Sequence, residues 1–98
     1  MIIVLGAVKI RPGQLEAALK LSLEHVRRSR AEPGCMSHAV HRDTGDDQVL
    51  VFVEKWTDRK ALGAHFVVPA SRAFVRDLKA LCAEPPVMNA YEAEEIQL

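Results

Sequence analysis

From Ile2 to Lys9 the chain is an almost unbroken apolar run rich in β-branched residues, the pattern of a strand covered on both faces. Pro12-Gly13 ends it. From Gln14 to about Ala31, Leu15, Leu19, Ser22, Leu23 and Val26 recur at helical spacing while Glu16, Lys20, Glu24 and Arg27 fall mostly elsewhere, which predicts an amphipathic helix. Glu32-Pro33-Gly34 terminates it, because proline cannot continue the ladder and biases the residue before it away from helical angles. Cys35 to Arg42 and Gln48 to Trp56 are strand-like runs separated by the turn formers Asp43-Thr44-Gly45-Asp46-Asp47, so they read as an antiparallel hairpin. Thr57 or Asp58 caps a short helix carrying Ala61, Leu62, His65 and Phe66, and Pro69 suits the first turn of another. That second helix runs from Ala70 to about Ala83, with Phe74, Leu78 and Leu81 on one stripe widened by Val75 and Cys82. After Glu84-Pro85-Pro86, Val87 to Ile96 shows a weak alternation and is read as a last strand.

The resulting order is β-α-β-β-α-β with the second helical region in two pieces. It predicts an α+β domain of the split βαβ, or ferredoxin-like, kind: a four-stranded antiparallel sheet with helices on one face. Val49-Leu50-Val51-Phe52-Val53 is apolar on both parities, so the other face is expected to be covered too, most economically by an identical sheet about a two-fold axis. A homodimer is the expected state. With 98 residues the chain can build one core and not two, so residues 1–98 are read as a single domain.

Charge narrows the partners. Thirteen basic residues balance thirteen acidic ones, leaving no long-range field to collect phosphates, and nucleic acid is not expected. Arg27, Arg28 and Arg30 fall in the last turns of the first helix, where cations offset the dipole. Cys35 and Cys82 are too few for a disulfide framework and lack the spacing of a zinc site, so reduced thiols are expected. The apolar N-terminus has no basic leader and is too short to span a bilayer, which points to a cytoplasmic protein with no membrane partner.

Motifs for nucleotide binding, acyl transfer and zinc proteolysis are missing. His38 and His41 are spaced HxxH, but residues three apart on a strand face opposite ways and cannot converge on one ion. Neither a metal nor a cofactor is expected. His38 shares its face with Met36, Val40 and Arg42, His41 lies near the turn, and His25 is read as a surface or boundary residue beside Glu24. Leu50, Phe52, Glu54 and Trp56 form one row along a strand. Trp56 either packs in the core or stacks on a flat substrate, with its indole N–H free to donate. A carboxylate in that row has to be paired or shifted in pKa, and an ion pair from Glu54 to an Arg or Lys is expected.

Four local patterns follow one another along the chain: Arg11-Pro12-Gly13 after the first strand, Glu32-Pro33-Gly34-Cys35, Glu54-x-Trp56, and Asp58 with Ala61-Leu62-x-x-His65. In this ordered combination the chain resembles the antibiotic biosynthesis monooxygenase family over roughly residues 2 to 91. The resemblance implies a dimeric α/β barrel with a pocket between helices and sheet in each subunit. Some members oxygenate quinols or polycyclic aromatics with molecular oxygen and neither metal nor flavin; others degrade haem or isomerise small metabolites, so the fold does not decide the reaction. The haem-degrading branch has an Asn on the first strand where this chain has Gly6 or Ala7, and haem degradation is not expected.

What the resemblance implies for this chain is a cofactor-independent monooxygenase acting with molecular oxygen on a quinol or a small polycyclic or dihydroxy aromatic. His65 is the candidate catalytic base, since an imidazole can take a proton from a phenol. Trp56, His38, Phe52, Glu54, Leu62 and Phe66 are the candidate substrate contacts. Two other readings stay open: an isomerase or tautomerase using the same histidine, and a non-catalytic ligand-binding dimer in which His65 only packs against the sheet.

Overall fold

The computed structural model describes residues 1–98. Its elements are β1 (Ile2–Lys9), α1 (Leu15–Ser29), β2 (Cys35–Arg42), β3 (Val49–Trp56), α2 (Arg59–Val67), α3 (Pro69–Lys79) and β4 (Val87–Glu92). The four strands form one antiparallel sheet in the order β2-β3-β1-β4, which is the expected ferredoxin-like arrangement. No helix is long and apolar enough to cross a membrane.

Local signals placed the helix ends. Asp58 is the N-cap of α2, its Oδ1 accepting from the Ala61 N–H at 2.8 Å, and Pro69 opens α3. Two elements are shorter than the sequence pattern suggests. Helix α3 stops at Lys79 rather than near Ala83 because the next residues return to the sheet: Arg11 N–H donates to Leu81 O at 2.9 Å, and Ala83 N–H donates to Lys9 O at 2.8 Å. Strand β4 stops at Glu92 rather than Ile96 because its only neighbour begins there, Ile2 being paired with Glu92.

Alternation divides the sheet as expected. Ile2, Val4, Gly6 and Val8 on β1 and Leu50, Phe52, Glu54 and Trp56 on β3 face the helices, and pairing sets each β1 residue opposite its β3 counterpart, from Ile2 against Trp56 to Val8 against Leu50. Helix α1 comes close to this face through the fully buried Ala18, Ser22 and Ser29. Its buried stripe takes in His25 and leaves Leu23 exposed, a shift from the apolar pattern. A histidine reads as polar in such a pattern, yet here it points inward.

Two apolar clusters result. One contains Val8, Ile10, Ala18, Leu50, Phe52 and Leu78; the other contains Ile2, Val4, Trp56 and Leu62. Glu54 lies between them in the β3 row. The opposite sheet face carries Ile3, Leu5, Val49, Val51, Val53 and Tyr91, all partly or well exposed in the single chain.

Gly34, in the turn between α1 and β2, has φ +82°. A Cβ there would collide with Ala61 Cβ and lie 2.8 Å from Thr57 Oγ1, so the turn can press against the start of α2 only with glycine. Thr57 N–H closes the contact by donating to Gly34 O at 2.9 Å. Gly34→Ala is expected to cost about 2 kcal/mol or more, from left-handed strain plus the clash. A thermal melt should show Tm falling by roughly 8 °C or more; an unchanged Tm would mean that the turn is not constrained in this way.

Candidate active site

A cavity of about 350 Å³ opens between the sheet and the helices. Gly6 and Phe52 contribute the sheet side, Phe74, Val75 and Leu78 of α3 form a wall, and Val87 and Met88 of β4 border it. The volume suits one small organic molecule. Its polar side is concentrated in His25, Glu54 and His65, with Arg72 and Lys79 also on the border.

His65 is held by a partner far away in sequence. Its Nδ1 is 2.8 Å from Glu32 Oε1. A carboxylate oxygen only accepts, so Nδ1 carries the hydrogen and donates, leaving the Nε2 lone pair free. Glu32 sits in the turn that Gly34 presses onto α2, and this packing delivers its carboxylate to the helix. His65 also lies tilted by 38° to Trp56, with ring centres 4.6 Å apart.

Glu54 is bonded by other means than the expected Arg or Lys. Trp56 Nε1–H donates to its Oε1 at 2.9 Å, and His38 Nε2 is 3.2 Å from the same oxygen. The pairing of β2 with β3 sets His38 directly opposite Glu54. Burial by itself pushes the Glu54 carboxyl up, but the contacts with His38 and Trp56 outweigh it and hold the pKa below its ordinary value. The His38 contact is poorly aligned: although His38 is 1% exposed, its Nε2 meets Glu54 off-line and its Nδ1 has no hydrogen-bond partner.

His25 completes the group. Its ring stacks on Phe74 with centres 3.9 Å apart, and Arg28 donates to its Nδ1 at 2.9 Å. Burial first, then the charges on His38, His65 and Arg28, lowers its pKa from 6.5 to about 3, so the ring stays neutral in the folded chain at neutral pH.

Of the residues singled out from sequence, His65, Phe52, Glu54 and Phe66 border the cavity. Trp56, His38 and Leu62 lie one layer behind it: each is buried, Trp56 and Leu62 belong to the second apolar cluster, and Trp56 spends its indole N–H on Glu54. Trp56 is therefore not a free stacking wall. His41 is exposed and on the opposite face from His38, as strand alternation requires. Two participants were missed. In the sequence Glu32 stands out only as part of the helix-ending Glu32-Pro33-Gly34-Cys35 pattern, and His25 reads as a surface or boundary residue. No local spacing joins either to His65.

The His25 shift has a sign that can be tested. Between pH 6.5 and about 3 the unfolded chain binds a proton at this residue and the folded chain does not, so stability is lost as pH falls through that window. Urea unfolding midpoints should drop with acidification, and His25→Phe, which keeps the stack on Phe74, should flatten the slope. Equal slopes for both proteins would show that His25 does not titrate in this way.

The family description "Antibiotic biosynthesis monooxygenase" matches residues 1–77. The chain is 35% identical over 96 residues to the uncharacterised protein sll1783 of Synechocystis, covering 98% of this chain and 65% of that protein, so it spans about two thirds of that relative's length. It is 29% identical over 85 residues to the Bacillus subtilis protein called "Putative monooxygenase YcnE", covering 87% of this chain and 90% of that one. A crystal structure of an antibiotic biosynthesis monooxygenase superposes with a TM-score of 0.90 at 27% identity, covering 97% of this chain and 100% of that one. With its sheet order, its cavity and the family match over most of its length, this chain belongs to the antibiotic biosynthesis monooxygenase family.

Proposed function

We propose that the chain is a cofactor-independent monooxygenase for a quinol or comparable small dihydroxy aromatic, with His65 as the general base. The observation that carries this reading is the Glu32–His65 pair, 2.8 Å apart, beside a mostly apolar cavity of about 350 Å³. Such a pair fixes the tautomer, aims Nε2, and stabilises the imidazolium that forms when the base takes a proton.

The substrate ring lies against Phe52 and Phe74, with a phenolic hydroxyl turned to His65. Removal of its proton gives an electron-rich anion, and Arg72 and Lys79 on the cavity border favour that charge. The anion reduces dioxygen: one oxygen atom becomes bonded to a ring carbon and the other leaves as water, so that quinol plus dioxygen yields hydroxyquinone plus water with no external reductant. Apolar walls keep bulk water from the reactive intermediates. Trp56 and His38 act from behind the cavity by holding Glu54. Leu62, also behind it, packs with Trp56 beneath α2, which carries His65 and Phe66.

The chain is proposed to work as a homodimer, with a second copy laid on the open sheet face that carries Ile3, Leu5, Val51, Val53 and Tyr91. Exposed apolar residues on one contiguous sheet face support that assignment, as does the small core of a chain of 98 residues. A cytoplasmic location, where thiols such as Cys35 and Cys82 stay reduced, fits this role.

Oxygen uptake with a panel of quinols, menadiol-like compounds included, tests the reaction. Hydroxyquinone formation is expected, and His65→Gln should lower kcat by about a hundredfold or more while Tm changes little. Glu32→Gln should lower it less, since the amide can still accept from Nδ1 but carries no charge. Proton exchange or isomerisation without oxygen uptake would replace the oxygenase by an isomerase, and full turnover in His65→Gln would remove the base. Sedimentation at micromolar concentration should give a dimer, and Val51→Lys on the open face a monomer; a wild-type monomer would refute the pairing.

A further inference from the structure

His25, His38 and His65 come from α1, β2 and α2 and meet around a common point. Their ring centres are 5.2 Å apart for His25 and His38, 5.2 Å for His25 and His65, and 5.6 Å for His38 and His65. An imidazole ligand at roughly 2.0–2.1 Å from an ion has its ring centre about 3.2 Å away, so three such rings at tetrahedral angles have centres about 5.2 Å apart. One ring nitrogen from each residue lies within 4.8 Å of the others. Small ring rotations close that spacing to the roughly 3.4 Å between ligands of a tetrahedral ion.

Four further observations point to a ligand at this centre. The 1%-exposed His38 has no partner at Nδ1 and only an off-line contact at Nε2, 3.2 Å from Glu54 Oε1, a costly condition that coordination would relieve. His65 donates Nδ1–H to Glu32 at 2.8 Å, the outer arrangement that orients a metal-binding imidazole. His25 and His65 border the cavity, which supplies a path of entry. Glu54, 3.2 Å from His38, places a negative charge at the cluster. Nitrogen donors with one carboxylate select transition metals over magnesium or calcium.

We propose that His25, His38 and His65 form a site for one divalent transition-metal ion of the zinc, cobalt and nickel class, with Glu54 as the flanking carboxylate. The site stands independently of the oxygenase reading, but it shares His65 with it. A lone pair on Nε2 cannot bind an ion and take a proton at once, so an occupied site silences base catalysis. Arg28 opposes occupancy. It donates to His25 Nδ1 at 2.9 Å, which puts the ring hydrogen on Nε2, and a metal at Nε2 requires that hydrogen to move to Nδ1 and the guanidinium to turn away.

Cobalt(II) titration of the full chain, read by visible absorption and equilibrium dialysis, tests the site without any assay of turnover. One cobalt per chain is expected, with the intense bands of a low-coordinate nitrogen site, displaced by zinc. His38→Ala should weaken binding at least a hundredfold and remove the bands. His41→Ala, which deletes the exposed histidine of the same strand, should change nothing, and Arg28→Met should tighten binding severalfold. Should the His38 variant not fold, zinc added to the unaltered protein must shift the proton resonances of the three buried imidazoles and leave those of His41 in place. Absence of the bands, or binding lost equally with His41→Ala, or zinc-induced shifts confined to His41, overturns the proposal.

Discussion

A carboxylate placed between two apolar clusters has to be solvated by the protein itself, and Glu54 sets that requirement for the whole domain. It occupies the third position of an inward row whose other members are Leu50, Phe52 and Trp56. Trp56 answers from the same strand with its indole N–H, and His38 from the neighbouring strand through the register that sets it opposite. A slip of one residue between β2 and β3 would turn His38 outward and leave a buried charge with one partner fewer. The polar demand of one residue thus helps to fix the pairing of two strands.

From that point the site grows outward by contact. His38 faces His25 and His65, His25 is stacked on Phe74, and His65 is held by Glu32. No two members of the Glu32, His25 and His65 set share a regular element, so their meeting depends on how α1 and α2 seat on the sheet. Ala18, Ser22 and Ser29 allow the close seating of α1, and Gly34 allows that of α2. Small residues far from the cavity therefore govern distances inside it.

Much of this architecture is legible in the sequence because it rests on local physics. Alternation along Val49 to Trp56 gave the two faces of β3, Asp58 and Pro69 gave helix starts, and strand parity separated His38 from His41. Length was less legible: α3 ends early because the residues after it bond back to Lys9 and Arg11, and β4 because β1 offers no partner beyond Ile2, neither of which a periodicity encodes. The candidate site was half legible. His65 and the inward row were visible, whereas the Glu32–His65 pair and the three-histidine cluster join positions from separate elements and leave no spacing to read. His25 was misplaced for a plainer reason: a hydrophobicity pattern counts imidazole as an outward group, and burial by stacking on Phe74 is invisible to it.

The break between α2 and α3 separates two tasks. Val68 is extended and Pro69 cannot donate to the turn before it, so the helices cannot merge into one rod. Helix α2 carries His65, the proposed base, while α3 carries Phe74, Val75 and Leu78, which wall the cavity. Residues of α3 can then be exchanged, and the shape of the cavity altered, without disturbing the Glu32–His65 pair that is anchored on α2. Phe74 is where the two meet, through its stack on His25, and it is the position at which a change of cavity shape would first disturb the histidine cluster.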